Sequence, residues 1–323
     1  MQNFYDIIEK IFGVECLNFA LIIPTLNAGK NFKKLLEQIN RQTLPTKKLI
    51  VDSESNDDTA ELAKNFGFEV LKIERKNFHH GATRQFALDY LLKKNSIDVA
   101  IFLTQDIFLH DENSLSELVK IFYSDENVGL CYGRQLPHEN ATLEAKFLRE
   151  FNYPAESKMK TFSDKKTFGL KVATASNSFA AYRVNFLLEV GGFPSQVILC
   201  EDMFVAAKML CNGHKIFYNA DAKVFHSHNY NFLQEFKRYF DIGVFHSRES
   251  WIRNTFGSAE GAGKKFVLLK LSALGRENIF SMFGAIFHDG AKFLGYRLGR
   301  LEKFLPKFFC GIFSMNKNFW KTN

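Results

Sequence analysis

Short apolar runs alternate with amphipathic segments along the first half of the chain. Runs bounded by polar turns indicate strands buried inside a sheet. The segments between them have helical periodicity, as from Phe32 to Ile39, and a further helix is predicted from Thr83 to Lys93. This order predicts an α/β fold in which a mostly parallel sheet carries helices on both faces. The predicted strands are Phe19–Pro24, Lys48–Asp52, Glu69–Ile73, Val99–Asp106 and Val128–Leu136.

The second half of the chain is less regular. Residues 137–172 are polar with scattered aromatic residues, and no element is predicted there. Two short strands are predicted at Lys215–Tyr218 and Val224–Phe225. We therefore divide the chain into a nucleotide-binding α/β domain over residues 1–230 and a basic helical region over residues 231–323. The helices of the second region are amphipathic, for example at Phe280, Phe283, Gly284 and Phe287.

Residues suited to ligand binding collect at the ends of the predicted strands. Pro24, Thr25 and Asn27 close the first strand, Asp52 the second, and Asp106 the central one. Ligands of open α/β sheets bind outside the carboxyl ends of the strands. A carboxylate there can accept the ring N–H of a pyrimidine base or hold the divalent cation of a diphosphate, and it can equally be a turn residue.

A glycine-bearing turn, His80-Gly81 followed by Thr83 and Arg84, lies at a predicted helix start. Free N–H groups at such a start bind phosphates, and the arginine would add a charge-assisted partner. An ordinary surface arginine is the alternative. Neither G-x-G-x-x-G nor G-K-[ST] follows a predicted strand, which argues against dinucleotide and P-loop chemistry.

Two further groupings carry titratable side chains. Glu201 and Asp202 open a helix, where the helix dipole favours negative charge. Adjacent helical residues do not face each other, so one carboxylate could be a general base while the other holds a loop or a substrate hydroxyl. His226 and His228 alternate along a predicted strand, so both could reach one metal ion or a pyrophosphate. Structural histidines and ordinary first-turn acids are the competing explanations.

Charge separates the two regions of the chain. From Lys237 onward there are 15 Lys and Arg but only 6 Asp and Glu, although the whole chain carries a net charge of only +7. A basic, Phe-rich end on a slightly acidic body suggests an anionic partner. No helix-turn-helix, zinc or RNA-binding signature supports nucleic acid. Apolar faces with basic side chains fit a membrane surface, with an ordinary helical subdomain as the alternative.

Cysteine usage and the N-terminus indicate the compartment. The five cysteines form no C-x-x-C pair, which fits a reducing cytoplasm. Charged residues from Asp6 to Glu15 interrupt the N-terminal apolar residues, so no secretory signal is predicted. No apolar run reaches the roughly 18 residues that span a bilayer. We expect a cytoplasmic protein that is peripheral on the inner face of the cell membrane.

Several motifs together resemble family 2 glycosyltransferases of the GT-A fold: P-T-L-N, V-D-S-E-S-N-D-D-T, H-G-A-T-R, T-Q-D and E-D-M-F-V-A-A. Others are similar to the bacterial rhamnosyltransferase branch: S-N-S-F-A-A-Y-R, H-S-H-N-Y, Q-E-F-K-R-Y-F-D-I-G-V-F-H, G-Y-R-L-G-R and a closing F-W. The resemblance extends from about Phe19 to Trp320. It implies a catalytic domain over residues 1–230 and an inverting transfer of L-rhamnose from dTDP-β-L-rhamnose to a growing cell-surface polysaccharide or a lipid-linked oligosaccharide.

The resemblance also implies roles for individual residues. Asp202 would be the catalytic base, and Asn177 and Glu201 would lie on the acceptor side. Asp106 would hold Mg²⁺ or Mn²⁺ on the donor diphosphate, with His228 or His226 completing the metal site. The residues implied to bind the nucleotide-sugar donor are Pro24, Thr25, Asn27, Asp52, Ser55, His80, Gly81, Arg84 and Gln105.

The chain departs from the family pattern at two positions. Gln105 replaces the first acid of the usual D-x-D, and Gln85 stands where Asn is common after the arginine. One fewer carboxylate implies a weaker or more solvated metal site. Two alternatives stay open: a family 2 enzyme that uses a UDP-hexose, and a non-catalytic nucleotide-sugar-binding or scaffold protein. The intact Asp106 and Asp202 argue against the second alternative.

Overall fold

The structure is a computed structural model that describes residues 16–257, 267–272, 275 and 279–322. The N-terminal charges between Asp6 and Glu15 lie outside the described residues, as do the side chains of Phe280 and Phe283. Within the described part of the chain, no helix combines the length and the apolar character needed to cross a membrane.

The described residues contain nine strands that form a single sheet. Their bounds are β1 Phe19–Thr25, β2 Lys47–Asp52, β3 Glu69–Lys72, β4 Val99–Leu103, β5 Phe108–Leu109, β6 Val128–Leu136, β7 Lys158–Lys160, β8 Phe179–Arg183 and β9 Lys215–Phe225. The order across the sheet is β3-β2-β1-β4-β8-β6-β9-β5, and β7 pairs with β9. The two short strands expected near residues 215–225 form one strand, β9. Its pairing with β6 shifts register between Asn219 and Lys223.

The sheet is parallel in one half and mixed in the other. Strands β1 to β4 are parallel to one another, as their alternation with helices predicted. The expectation of a mostly parallel sheet is wrong for the rest, because β8 enters between β4 and β6 and runs antiparallel to both. Strand β9 is parallel to β6, whereas β5 and β7 run antiparallel to β9.

Helices cover both faces of the sheet. The bounds of the helices in the first half are α1 Phe32–Asn40, α2 Thr59–Asn65, α3 His80–Leu92, α4 Ser114–Val119, α5 Ile121–Ser124, α6 Leu143–Asn152, α7 Lys165–Phe168, α8 Val184–Glu189 and α9 Glu201–Cys211. Those that follow are α10 Phe232–Arg248, α11 Ser250–Phe256, α12 Ile279–Arg300, α13 Lys307–Phe313 and α14 Phe319–Thr322. Residues 137–172, where no element was predicted, contain α6, β7 and α7.

The apolar runs are continuous because the strands are buried on both faces. In β1, Leu21 and Ile23 join one core layer with α1, while Ala20 and Ile22 join the other layer with α3. This arrangement follows from the period of two along a strand. In β1 and β2 it leaves the polar residues Thr25 and Asp52 at the strand ends, where the candidate residues lie.

The helical region is assembled by close backbone contact between α10 and α12. A Cβ on Gly295 would lie 2.3 Å from the carbonyl oxygen of Phe236, and one on Gly299 would lie 2.0 Å from that of Phe240. On the other helix, a Cβ on Gly243 would lie 2.3 Å from the carbonyl oxygen of Tyr296. Only glycine permits this approach, because any side chain would overlap backbone atoms.

Candidate active site

The ends of β1 and β2 are tied together by the carboxylate of Asp52. It accepts hydrogen bonds from the Thr25 hydroxyl at 3.2 Å and from the Ser55 main-chain N–H at 3.0 Å, and from the Ser55 hydroxyl. Asp52 is buried but borders an open recess formed by the residues that follow β2. The Asp52 carboxylate is thus held by three hydrogen bonds beside a space that can admit a nucleobase.

Asn27 connects the same two loops. Its N–H donates to the Ser55 hydroxyl at 2.8 Å, and its side-chain oxygen accepts from the Asn56 N–H at 2.8 Å. Its φ of 46° lies in the left-handed region, which asparagine tolerates better than most residues. Pro24 lies inside β1 opposite Val51 and is half-buried. Thr25, Asn27, Asp52 and Ser55 thus form one hydrogen-bonded group.

Gln105 has a structural partner at the end of β1. Its side-chain oxygen accepts from the Leu26 N–H at 2.8 Å, and its amide donates to the Leu26 carbonyl at 3.0 Å. A carboxylate at this position could accept but could not donate, so the glutamine joins the ends of β1 and β4. These bonds hold Gln105 next to Asp106, and the expected donor contact of Gln105 stays a prediction.

Asp106, His226 and His228 form a cluster beyond β4 and β9. The Asp106 carboxylate lies 3.5 Å from Nε2 of His226 and 3.7 Å from Nε2 of His228. The two histidines lie just after the end of β9 and not on the strand as expected, yet both reach the same carboxylate. Burial alone would raise the pKa of Asp106, but the hydrogen bond and charge of His226 hold it well below its usual range.

The donor set of this cluster fits a divalent cation. One ligand atom from each of the three residues lies within 4.8 Å of the others. Burial, followed by the charge of His226, lowers the pKa of His228 to about 4, so this imidazole is neutral at pH 7. One carboxylate and two imidazoles suit Mn²⁺ better than Mg²⁺, which prefers oxygen ligands.

Gln135, near the end of β6, supports the cluster from behind. Its side-chain oxygen lies 2.9 Å from Nδ1 of His226 and also accepts a hydrogen bond from Arg149. Because an amide oxygen can only accept, Nδ1 of His226 carries a proton in this contact, and Nε2 faces Asp106. The sequence interpretation missed both Gln135 and Arg149. A polar residue inside the apolar run of β6 is the signal that could have identified Gln135.

Glu201 is committed to an ion pair inside the protein. It lies 3.0 Å from Arg84, and both side chains are buried. The Asn177 side chain donates to Glu201 at 2.9 Å and accepts from the Tyr182 hydroxyl at 2.6 Å. Arg84 was expected at the donor phosphates and Glu201 and Asn177 on the acceptor side. The structure buries all three beside Asp202, and their expected contacts with donor and acceptor stay predictions.

Asp202 is half-buried and accepts hydrogen bonds from the main-chain N–H groups of Asn177 at 3.2 Å and of Met203 at 2.8 Å. Burial raises its pKa, and the negative charge of Glu201 raises it further. Arg84, His80 and Asn177 outweigh burial at Glu201 and lower the pKa of that carboxyl. Two adjacent carboxylates with opposite pKa shifts are typical of a general base beside a permanently ionised partner.

The turn at the start of α3 has a packing role. A Cβ on Gly81 would lie 2.0 Å from the carbonyl oxygen of Pro194, so the glycine lets this loop pack against the helix start. The carbonyl of His80 accepts from Arg84 at 2.9 Å, and its half-buried ring packs edge-on against Phe78. The helix begins three residues earlier than Thr83. The phosphate contact expected of His80, Gly81 and Arg84 stays a prediction.

Comparisons with known proteins agree with this arrangement. The family described as glycosyl transferase family 2 matches residues 20–191. The O-antigen chain rhamnosyltransferase RfbN of Salmonella typhimurium is 43% identical over 308 residues, which cover 95% of this chain and 97% of that protein. The O-antigen chain rhamnosyltransferase WbaN of Salmonella anatum is also 43% identical, over 94% of this chain and 96% of that protein.

Solved structures show the same architecture at lower sequence similarity. The mannosyltransferase PcManGT from Pyrobaculum calidifontis, solved in complex with GDP-Man and Mn²⁺, superposes with a TM-score of 0.56. The match covers 96% of this chain and 89% of that chain at 17% sequence identity. At this identity, the similarity concerns the fold alone.

Proposed function

Because the chain belongs to glycosyl transferase family 2, as its motifs predicted, we propose that it transfers L-rhamnose from dTDP-β-L-rhamnose to a hydroxyl of a growing cell-surface polysaccharide. The chain is a glycosyltransferase and has the expected GT-A fold. The acceptor in this proposal is a lipid-linked saccharide. The names and the near-complete coverage of the two Salmonella relatives support rhamnose as the sugar.

The observation that carries the proposal is the position of Asp202. Its carboxylate is held by two main-chain N–H groups beside the fixed charge of Glu201. In the proposed reaction, Asp202 accepts the proton of the acceptor hydroxyl. The oxygen of that hydroxyl bonds to the anomeric carbon of the donor sugar in the same step. The bond from that carbon to the donor diphosphate breaks on the opposite face, and its electron pair leaves with the diphosphate. The configuration therefore inverts.

Asp106, His226 and His228 would hold the divalent cation, for which Mn²⁺ is our first choice and Mg²⁺ our second. A bound cation supplies positive charge to the departing diphosphate. Asp52, with Thr25, Asn27 and Ser55 around it, would receive the base of the nucleotide. This arrangement leaves Asp202 to the sugar and its acceptor.

Binding of a nucleotide-sugar panel tests the donor assignment. We would titrate the full chain with dTDP-rhamnose, UDP-glucose, UDP-galactose and GDP-mannose, each with Mn²⁺, with Mg²⁺ and with EDTA. We expect selective, cation-enhanced binding of dTDP-rhamnose. Preference for a UDP-hexose would retain the enzyme class and overturn the sugar, and binding of none would favour the scaffold alternative.

The outer face of the helical region supports a position at the membrane. In α12, the large side chains of Ile286, Phe287, Phe293 and Leu294 are exposed, whereas its inner face carries Ala285, Gly295 and Gly299. Helices surrounded by lipid use the same distribution of small and large residues. Leu301, Phe304, Phe308 and Phe309 extend the exposed apolar surface.

The charge of this region is also suited to a membrane. Lys and Arg exceed Asp and Glu from residue 237 onward, and Arg297, Lys303 and Lys307 lie among the exposed apolar side chains. Anionic lipid headgroups attract such residues by about 1 kcal/mol each. We therefore propose that α12 and α13 rest on the inner face of the cell membrane.

Vesicle flotation tests the membrane proposal. We expect the full chain to float with vesicles that contain phosphatidylglycerol and much less with phosphatidylcholine alone, because both charge and apolar insertion contribute. The double variant Phe304→Ser/Phe308→Ser should lose flotation while its thermal unfolding is unchanged, since both rings are exposed. The matched control is Phe86→Ser, an exposed phenylalanine on α3. Equal flotation of all three proteins would exclude this surface.

A further inference from the structure

The α13–α14 loop, residues 314–318, reaches from the helical region back to the nucleotide side of the protein. Its start is fixed on α10 by the fully buried Asp241. One oxygen of this carboxylate accepts hydrogen bonds from the main-chain N–H groups of Met315 at 3.0 Å and Asn316 at 3.3 Å. The Asn316 side-chain amide donates to the same oxygen at 2.9 Å. A buried carboxylate with three donors holds this part of the loop at a defined place.

The far end of the α13–α14 loop is fixed by the two aromatic residues that follow it. Phe319 is buried, and the ring centroid of Trp320 lies 6.3 Å from that of Phe240 on α10. The guanidinium of Arg248 lies over both rings, 5.0 Å from the centre of Phe319 and 5.3 Å from that of Trp320. The residues between the two anchors are therefore held against α10.

Two asparagines of this loop hold the loop that connects β3 to α3. The side-chain amide of Asn318 donates to the carbonyl of Arg75 at 3.1 Å, although the two residues are 243 positions apart. Asn316 lies beside the ring of His80, the first residue of α3. Burial lowers the pKa of His80, and the side chain of Asn316 opposes part of this shift. The β3–α3 loop is thus contacted near its start and at its end by one segment of the helical region.

Arg75 in turn holds Glu54, which lies between Asp52 and Ser55. The main-chain N–H of Arg75 donates to the Glu54 carboxylate at 2.9 Å. The φ of Glu54 is 58°, in the left-handed region, where a residue with a side chain is strained. Such a conformation persists only when surrounding contacts hold it. The contact with Arg75 is one of these, and it supports the turn that brings the Ser55 N–H to Asp52.

This turn borders the recess that we assign to the base of the nucleotide. Asp52, Glu54 and Glu74 are among the lining residues of the recess, and the described part of its lining includes no residue of the α13–α14 loop. Arg75 and Asn318 instead border a neighbouring hollow that shares Glu54 and Glu74 with the recess. A contribution of Asn318 to nucleotide binding would therefore act through the position of the recess wall.

We propose that Asn316 and Asn318 are positioning residues for the nucleotide. From the helical region they hold the β3–α3 loop, and through Arg75 they hold the turn at Glu54 beside the base. The inference rests on the proposed nucleotide-sugar binding and adds a part of the helical region to it. The base is bound alike before and during the transfer, so loss of these contacts weakens donor binding and leaves the chemical step unchanged.

The test measures the affinity of the full chain for dTDP and for UDP in the presence of Mn²⁺. Asn318→Ala should raise the Kd of the preferred nucleotide about three- to tenfold, as expected for one lost hydrogen bond, and Asn316→Ala/Asn318→Ala should raise it about tenfold or more. Asn318→Gln, which retains an amide donor, should remain closer to wild type. With dTDP-rhamnose and a lipid-linked acceptor, KM for the donor should rise by the same factor while kcat stays within about twofold of wild type.

Hydrogen exchange of the ligand-free protein separates positioning from a general loss of stability. In Asn318→Ala, the amides of residues 73–79 should exchange faster than in wild type, while the midpoint of thermal unfolding stays close to that of wild type. The matched control is Lys317→Ala, which changes the exposed residue between the two asparagines and should alter neither nucleotide affinity nor exchange.

The outcomes separate this inference from the proposed function. If the wild type binds a nucleotide and the double variant binds it within about twofold as tightly, the positioning role is overturned and the proposed function stands. An equal loss of affinity in Lys317→Ala, or a loss matched by a lower midpoint of unfolding, would also overturn the positioning role. Failure of the proposed function has a different signature, because the wild type would then bind neither nucleotide, and the inference would fall with it.

Discussion

Leu21, Ile22 and Ile23 in β1 are fully buried, whereas Phe287, Phe293 and Phe304 in the helical region expose between 67% and 84% of their surfaces. Both regions are rich in apolar residues, but only the sheet has two covering layers. In the helical region, α10 and α12 approach each other through glycines, and large side chains on the outer face of α12 are exposed. Other side chains of this region, such as Phe240 and Phe245, are buried in one core layer with the sheet. The exposed apolar face is the part that fits the proposed position at the membrane.

Buried charges differ between the two regions as well. Near the sheet, Arg84 and Glu201 form one pair that fixes the residue before Asp202. In the helical region, Lys270 and Lys292 bridge three acids from separate helices: Glu144, Glu235 and Asp289. The first arrangement lies next to the proposed base, and the second connects three helices. Substitutions in the two regions should therefore affect different properties.

The largest effect is expected at Asp202. Asp202→Asn retains the shape of the side chain and removes the base, so kcat should fall by roughly 10²–10⁴-fold. The two carboxylate oxygens of Asp202 each accept one main-chain hydrogen bond, of which the asparagine amide can keep only one. Turnover is measured with dTDP-rhamnose and a lipid-linked acceptor, and thermal unfolding is measured in parallel. We expect the midpoint of unfolding to fall only slightly, because one main-chain N–H loses its acceptor. Turnover within a few-fold of wild type would exclude Asp202 as the base.

In the helical region, loss of stability without loss of donor binding is expected from Lys292→Met. The substitution leaves Glu144 and Glu235 buried without this partner, which lies 2.8 Å and 3.2 Å from them. Breaking a buried pair from one side costs about 3–5 kcal/mol of unfolding free energy. Urea unfolding measures the change, and titration with dTDP-rhamnose checks the donor site. The exposed Lys303→Met is the control, and equal stability of both variants would contradict this account.

A smaller loss is expected where α10 and α12 touch. Gly299→Ala places a methyl group against the carbonyl of Phe240, and overpacking of this kind costs about 1–3 kcal/mol. Gly290→Ala on the same helix adds a methyl group with no neighbour within 4 Å and should be neutral or stabilising, because alanine favours helix. The two variants are compared by thermal unfolding. Equal shifts would show that the contact does not hold the helices together.

The mildest test uses pH alone. Asp202 must be ionised to accept a proton, and burial together with Glu201 raises its pKa. Activity should therefore fall about tenfold per pH unit below this raised pKa, and the decline should begin above the pH range of an ordinary aspartate. A pH profile of kcat, with unfolding monitored at each pH, measures the pH at which activity declines. A decline near pH 4 would show that the pKa of Asp202 is not raised in the enzyme–substrate complex.

Much of the parallel half of the sheet could be predicted from local patterns. Strand β6 was predicted with its observed bounds, and the apolar spacing from Phe32 to Ile39 matches α1. Such patterns are readable because burial on both faces of a strand, or on one face of a helix, constrains nearby residues. The position of β8 between β4 and β6 was not predictable, because strand order depends on contacts between segments far apart in sequence.

The residues of the candidate site also differ in whether the sequence alone could identify them. Asp52, Asp106 and Asp202 could be singled out from the sequence because each stands at a strand end or helix start. The ion pair of Arg84 could not be predicted, since its partner Glu201 is 117 positions away. Gln135 and Arg149 escaped notice because their importance lies in contacts with each other and with His226.

The sequence by itself therefore determined the strands and helices of the first half, the family resemblance and the positions of the three aspartates. Their neighbours were decided only by the tertiary structure, because a polar side chain takes its function from the charges and hydrogen bonds that folding brings to it. Asp202, next to Glu201, has a raised pKa, whereas Asp106, beside His226 and His228, has a lowered pKa. Those contacts are the basis for proposing Asp202 as the base and Asp106 as a metal ligand.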